Sequence, residues 1–435
     1  MKLKDYVLQV APKAVYYRAV RRGWADPINP LTLTFSVTAA CQSRCKTCNI
    51  GNVYLANPAL AKNNLTLEEI ENVFRALGPI YFFNISGGEP FMRPELAEIV
   101  RLACIHLKPK LIHIPTNGIG TQFIEKTTRQ ILAYMDQYAP KSVPITIKPS
   151  IDGIGEVHDY VRGYKGNFAK LQQTIQVLLA IRKENPRLHV DLGTVISNHN
   201  LEYLDEIEDW VHAQGIESYR HEIAEQRAEF HNLGDPITPS AAVYASLIQR
   251  FKQKILTHVR GKAPLTVATE AVRMVYYDVA AQILKERRQV TPCFGGISNI
   301  HMNYNGELWP CCVLGGDQAM GRVREFDYDI KALLRSQQAA RVRKYIADGN
   351  CACPLANQWL NNVLLTPKHM LKVLYTYLVL FRLPAKFVDR KIGAAPLPAP
   401  APAAAADGTT RRVALVMHKF GTIPVEQEVD LPGRR

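Results

Sequence analysis

The chain reads as an α/β protein: a partial (β/α)6 barrel of parallel strands, then a small C-terminal hairpin–helix unit. Three observations carry this reading. Short β-rich apolar runs alternate with helical stretches from Leu31 to about Glu225. Those stretches are long enough to cross between parallel strands. Of nine cysteines, three lie at 41–48 and five at 293–353, so the second group falls beyond the alternation. Six βα units suit a partial barrel better than a short open sheet, a choice that spacing alone does not settle.

Residues 1–30 form a basic segment. Leu3, Tyr6, Val7, Val10, Tyr17 and Val20 fall near one helical face among Lys2, Lys4, Lys13, Arg18, Arg21 and Arg22. Pro12 is expected to kink that helix. The segment lacks a continuous apolar core and a small-residue cleavage site, so it is no secretory signal, and a cytoplasmic, reducing compartment is expected. The barrel is assigned to residues 31–237, with strands "LTLTFSVT", "IYFFNIS", "KLIHIPT", "VPITIKPS", "HVDLGTVIS" and "SYRHEIAE". Between them lie helical stretches such as "TLEEIENVFRAL", in which Thr66 and Glu69 stand at capping-box spacing. Residues 238–289 read as a helical connection and 290–357 as the second cysteine-bearing domain. Residues 358–392 form a basic amphipathic segment, 393–408 a Pro/Ala linker and 409–435 a tail.

The net charge of +14 implies an acidic partner. The basic residues do not gather in one stripe with interleaved aromatics, which argues against nucleic acid. No apolar run is long enough to span a bilayer. The segments 1–24 and 366–391 have two readings, docking on the barrel or peripheral contact with an anionic membrane face. In the second, Leu371, Leu374, Tyr375, Leu378 and Phe381 lie among Lys368, Lys372, Arg382 and Lys386.

Cys41, Cys45 and Cys48 follow the first strand as C-x3-C-x2-C. Soft metals bound by thiolates usually take four protein ligands, and here the fourth is missing. The second strand ends in "SGGEP", the third in "PTNG" and the fourth in "PSIDGIGEVHDYVRG". In βα barrels these C-terminal ends share one rim, where chemistry sits.

With C-x3-C-x2-C after strand one and GGEP after strand two, residues 31–225 resemble the radical S-adenosylmethionine (radical SAM) superfamily. The resemblance implies that the three cysteines bind three irons of a [4Fe–4S] cluster, while S-adenosylmethionine chelates the fourth. Reductive cleavage of this cosubstrate would yield a 5′-deoxyadenosyl radical that abstracts hydrogen from substrate. An electron donor such as flavodoxin or ferredoxin is implied. By position, Gly87, Gly88 and Glu89 would receive the methionyl amino group, with Asn117 on the same rim. Ser150 and Asp152 would face the ribose or carboxylate, Arg162 would pair with the carboxylate, and Val195 would flank the adenine. The residue before the last cysteine is usually aromatic in the family; here it is Thr47, which removes one adenine contact.

Cys293 and Cys311 flank a strand–turn–strand pattern around "NYNG", and Cys351 and Cys353 follow a helical stretch. Together they can make a closed four-thiolate site. The pattern resembles a Twitch domain, the shortened relative of the SPASM domain, and implies a second, auxiliary [4Fe–4S] cluster. Cys312 is an alternative to Cys311, and zinc an alternative to iron. Cys104 reads as a core thiol. A fully ligated auxiliary cluster would accept an electron from the substrate radical. Were it only structural, epimerisation or rearrangement would need a base or hydrogen donor, for which His221, Glu222 and Glu225 are candidates. A lipid-linked, sugar or alcohol substrate is favoured. The alternative is a maturase acting on a ribosomal peptide or protein, set second because only about 30 residues precede strand one. A basic zinc protein that binds nucleic acid is the alternative of another class.

Overall fold

A computed structural model describes residues 10–216, 218–259 and 264–380. Six parallel strands form the body of a partial barrel: β1 (Thr32–Ser36), β2 (Phe82–Ser86), β3 (Leu111–Thr116), β4 (Ile145–Pro149), β5 (Leu188–Ile196) and β6 (Ser218–Ile223). They lie in chain order across the sheet, as successive βα units require. All five residues of β1 are buried, because helices cover one face of the strand and the barrel interior the other.

The hairpin is not a separate sheet. Its first strand, β7 (Asn299–Met302), pairs in parallel with β1, and β8 (Glu307–Trp309) and β9 (Gly321–Arg322) continue antiparallel. The result is one nine-stranded sheet in the order β6-β5-β4-β3-β2-β1-β7-β8-β9. The "NYNG" turn closes through a hydrogen bond from Gly306 N–H to the Asn303 carbonyl at 3.0 Å. Gly306 has φ +87°, and a Cβ there would press on Val323 and Leu65 at 3.0–3.1 Å, so only glycine fits.

The capping box forms. Glu69 N–H donates to Thr66 Oγ1 at 3.2 Å, and Thr66 N–H donates to Glu69 Oε2 at 2.8 Å. Glu69 also accepts from Arg324 Nη2 at 3.0 Å and Tyr328 Oη at 3.0 Å, joining the helix Leu67–Leu77 to the segment beyond the hairpin. A long helix spans Asn167–Glu184 between β4 and β5. The connection resolves into two helices, Ala241–His258 and Pro264–Glu286.

Whether Pro12 kinks the basic segment lies outside the described residues, which begin at Val10. Within them Pro12 sits in the first turn of Ala11–Arg21, where the missing N–H costs nothing. Val10, Tyr17 and Val20 pack against Leu31, Phe294, Ile297 and Leu365, so this face docks on the body. Arg21 donates to the carbonyls of Cys293 (3.1 Å) and Ala347 (3.0 Å). In the helix Pro367–Tyr375 and the turn after it, Leu371, Leu374, Tyr375 and Leu378 are exposed. Leu3, Tyr6, Val7, Phe381, Arg382, Lys386, the linker and the tail lie outside the described residues. No helix among the described residues is long and apolar enough to cross a membrane.

Candidate active site

The loop carrying Cys41, Cys45 and Cys48 is held by backbone. Gly88 N–H donates to the Thr38 carbonyl at 2.9 Å and Glu89 N–H to the Ala40 carbonyl at 2.7 Å, laying the GGE segment alongside the run into Cys41. A Cβ on Gly88 would lie 2.2 Å from the Ala40 carbonyl oxygen. The approach thus demands glycine. On the other side Lys46 N–H donates to the Val161 carbonyl at 2.8 Å. Asn232 Nδ2 holds the Thr47 carbonyl at 2.8 Å.

The three cysteines are half-buried and close together, and each thiol is pushed above its ordinary value, first by desolvation. Cys41 rises to about 12, with the Cys45 and Glu89 charges adding to the effect of burial. Neighbouring charge also disfavours the Cys48 thiolate, from Cys45, Cys41 and Glu229. Three desolvated thiols that cannot ionise together form a set stabilised by a cationic soft-metal cluster. The near cation is Arg162, whose Nη1 lies 3.8 Å from Cys45 Sγ and whose Nε pairs with Asp152 Oδ2 at 2.9 Å. Burial opposes the guanidinium charge, but Asp152 and the two thiols outweigh it.

The rim residues come together much as the spacing implied. The Glu89 carboxylate accepts from Thr116 Oγ1 (2.9 Å), Asn117 N–H (2.7 Å) and Phe91 N–H (3.2 Å). It clips the end of β2 to the end of β3. Burial holds its carboxyl up at about 7 against those hydrogen bonds. Asn117 Nδ2 reaches Ser43 Oγ inside the cysteine loop at 3.0 Å. Ser150 N–H donates to the Thr116 carbonyl at 2.9 Å, and Ser150 bridges to Gly193 on β5. Val195 enters through its backbone, donating to Asp152 Oδ1 at 2.8 Å. His158 Nδ1 accepts from Asp152 N–H at 3.2 Å and is kept neutral by burial, at about 3.

The three residues proposed at the end of β6 do not act as one group. Successive strand residues face opposite ways. His221 lies flat on Phe251 of the helix Ala241–His258 with ring centroids 3.9 Å apart, and burial keeps it neutral, at about 3. Glu222 is bound to Lys148 Nζ at 3.1 Å. Glu225 is bound to Arg227 at 2.8 Å and lines a cavity of about 50 Å³ beside Cys351 and Cys353.

The second cysteine set closes around itself. The thiols of Cys293 and Cys311 both disfavour ionisation of Cys351 and of Cys353, so these four share one buried place. Cys312 is not among them: its Sγ lies 2.9 Å from His301 Nδ1. That contact favours Cys311 over its neighbour as a member of the set. Segments from the whole chain support the site. Asn362 Oδ1 accepts from Phe294 N–H at 3.0 Å, Tyr276 Oη donates to the Pro354 carbonyl at 2.9 Å, and the Trp359 indole N–H donates to the Cys353 carbonyl. Among the described residues every cysteine is a free thiol, and Cys104 is a buried core residue.

A cavity of about 280 Å³ opens between the GGE segment and the hairpin, lined by Gly87, Gly88, Ser36, Glu229, Asn303 and Trp309 among others. Sequence reasoning missed Glu229 and His301. Glu229 sits in a short turn with no motif, and His301 reaches the barrel only because β7 pairs with β1.

Residues 35–211 match the family model described as Radical SAM superfamily. The antilisterial bacteriocin subtilosin biosynthesis protein AlbA of Bacillus subtilis (strain 168) is 22% identical over 326 residues, 74% of this chain and 64% of its own length. The mycofactocin maturase MftC of Mycobacterium ulcerans (strain Agy99) is 28% identical over 178 residues, 41% of this chain and 43% of its own. The chain thus spans less than two thirds of either relative. Among solved structures, SuiB of Streptococcus suis bound to S-adenosylmethionine superposes with a TM-score of 0.53 at 16% identity, over 77% of this chain and 72% of that one, a likeness of fold. Cysteine loop, GGE pairing, barrel and family match agree: residues 35–211 carry a radical SAM domain, of a family that works with a [4Fe–4S] cluster and S-adenosylmethionine.

Proposed function

We propose that the chain modifies a ribosomally made peptide or protein by radical oxidation. The observation that carries this is the pairing of two unlike cysteine sites on one sheet, a three-thiol loop and a closed four-thiol set, with a cavity beside the loop. The bacteriocin biosynthesis protein and the maturase among its relatives support the peptide reading over the lipid, sugar or alcohol substrate expected from the sequence. The cavity, at about 280 Å³, lies at the small end of ligand pockets and suits a side chain offered by an extended peptide better than a whole lipid.

In this reading Cys41, Cys45 and Cys48 would hold the radical-generating cluster, and Cys293, Cys311, Cys351 and Cys353 the auxiliary one. Together with S-adenosylmethionine the first supplies hydrogen-atom abstraction, and the second is a one-electron acceptor. The chain's own part is positional. Gly87 and Gly88 bring backbone against the cysteine loop, Asn117 fixes Ser43, and Arg162 sets its charge between Asp152 and Cys45. The hairpin closes the cavity wall and brings the second site within the same sheet.

The test is anaerobic coexpression with each short open reading frame beside the gene, followed by mass spectrometry. A peptide that loses hydrogen pairs only with the active enzyme is the expected result. Unmodified peptides throughout, with turnover of a lipid or sugar in a metabolite panel, would end the peptide reading.

A further inference from the structure

Behind the cavity wall lies a polar cluster that the cysteine sites do not use. His301 Nε2 is 2.7 Å from Ser36 Oγ and 3.8 Å from Glu229 Oε1, and His301 Nδ1 is 2.9 Å from Cys312 Sγ. His301 and Cys312 are buried, while Ser36 and Glu229 line the cavity with Gly87 and Gly88. Strand register accounts for the assembly. β7 places His301 opposite Thr34 on β1, and Ser36, two residues on, shares that face.

Glu229, His301 and Cys312 lie close enough together to invite a metal. The ring geometry argues otherwise. The thiol approaches Nδ1 while the carboxylate and the hydroxyl approach Nε2, and one ion cannot use both edges of an imidazole. Hydrogen bonds join Ser36, His301 and Cys312 instead, with the Glu229 carboxylate 3.8 Å from the ring at the cavity end. That end is unfinished: Glu229 Oε2 is buried and has no hydrogen-bond partner among the described residues. An unpaired buried carboxylate oxygen is costly and marks a place where a ligand group completes the site. Glu229 also lies within electrostatic reach of the cysteine loop, since its charge disfavours the thiolates of both Cys48 and Cys312. Arg227 offsets that charge only in part, being bound to Glu225.

We propose that Glu229 takes the substrate's proton in this cavity, and that His301, held by Ser36 and Cys312, is the residue that positions it. The inference rests on the oxidative reading above. A substrate carbon that has lost a hydrogen atom passes one electron to an iron–sulfur acceptor. A neighbouring O–H, N–H or S–H gives its proton to the Glu229 carboxylate, and the lone pair left on the heteroatom becomes the new bond to carbon. Burial holds the Glu229 carboxyl at about 7, the range in which a base both accepts and releases a proton at neutral pH.

The test uses the anaerobic holoenzyme. With the peptide found by coexpression, Glu229→Gln lowers product formation by about 10²–10⁴-fold. Freeze-quenched samples of this variant hold an organic radical by electron paramagnetic resonance that the wild type does not accumulate. Glu229→Asp restores part of the product, and His301→Gln lowers kcat with KM unchanged. Wild-type product from Glu229→Gln, or equal loss in the Gln and Asp variants without a trapped radical, overturns the proposal. So does stoichiometric zinc that His301→Gln removes, which would make the cluster a metal site. A second arm needs no peptide and separates this proposal from the peptide reading. Infrared difference spectra of the substrate-free enzyme carry a carboxyl band that Glu229→Gln deletes and S-adenosylmethionine shifts. A band indifferent to S-adenosylmethionine removes Glu229 from the cavity.

Discussion

The two cysteine sites are built in opposite ways. The first is local: three thiols in one loop, pinned on one flank by the GGE backbone and on the other by the end of the helix Glu156–Arg162. The second is assembled at long range, from the segment before the hairpin, the end of the hairpin and the C-x-C beyond the helix Gln337–Ala347. Its supports are Arg21 from the N-terminal helix, Tyr276 from the connection and Trp359 from the helix Ala356–Leu365. The first site has three thiols, a nearby arginine and a cavity of about 280 Å³ alongside. The second has four thiols and a neighbouring cavity of only about 50 Å³. An open coordination set beside a cavity suits chemistry, and a closed set suits electron storage or structure.

The largest effect that tests this contrast is iron content. Two [4Fe–4S] clusters predict about eight irons per chain, and replacing Cys41, Cys45 and Cys48 together by Ala leaves about four. That variant loses cleavage of S-adenosylmethionine altogether. The pair Cys293→Ala with Cys351→Ala also loses about four irons but keeps cleavage and forfeits peptide product. If both variants lose cleavage alike, the two sites are not functionally distinct.

Arg162→Ala should fall next. It leaves Asp152, buried and bound to Val195 N–H, without its cation, a loss of about 3–5 kcal/mol for a broken buried pair. The damage should stay with the first site: denaturant unfolding shows the lost stability, and iron analysis shows the auxiliary iron retained. An equal loss of iron from both sites would mean that Arg162 supports the fold at large.

The smallest effect concerns the link between barrel and hairpin. The Glu69 carboxyl is held down to about 2, first by the hydrogen bond from Arg324, against an ordinary value of 4.5. A carboxyl lowered in the folded state contributes stability that is fully present above 4.5 and is lost as the pH falls toward 2. Arg324 is partly exposed, so screening limits the contribution to about 0–1 kcal/mol. Glu69→Gln should therefore lower stability slightly at neutral pH and flatten its decline between pH 4.5 and 2, as read by unfolding at a series of pH values. An unchanged acid profile would break the link.

Much of the barrel was legible because its signals are local. β propensity and the Thr66–Glu69 capping box act over a few residues, and both appear where the spacing places them. The helix Thr121–Tyr138, though long, was not picked out, since its apolar residues are diluted by polar ones. Asp152, Arg162 and Asn117 were legible as rim residues because strand ends in a βα barrel converge. Their partners were not, since a motif states which groups meet and not which atoms they bind. Glu89 shows this most plainly: GGEP marks it as a rim residue but does not name Thr116 and Asn117, the partners through which its carboxylate joins two strand ends.

By itself the sequence determined the α/β class, the order of the strands, the three-cysteine loop and the glycines that dock it. These depend on residue type and short spacing, which tertiary context seldom overrules. Tertiary structure alone decided that the hairpin continues the barrel sheet through β7, that Cys312 meets His301, and that His221 stacks on Phe251. It alone brought Ser36, Glu229, His301 and Cys312 to one place. The reason is sequence distance. Ser36 and His301 stand 265 residues apart and meet at 2.7 Å through the register of two paired strands, and no local pattern in either segment encodes that register.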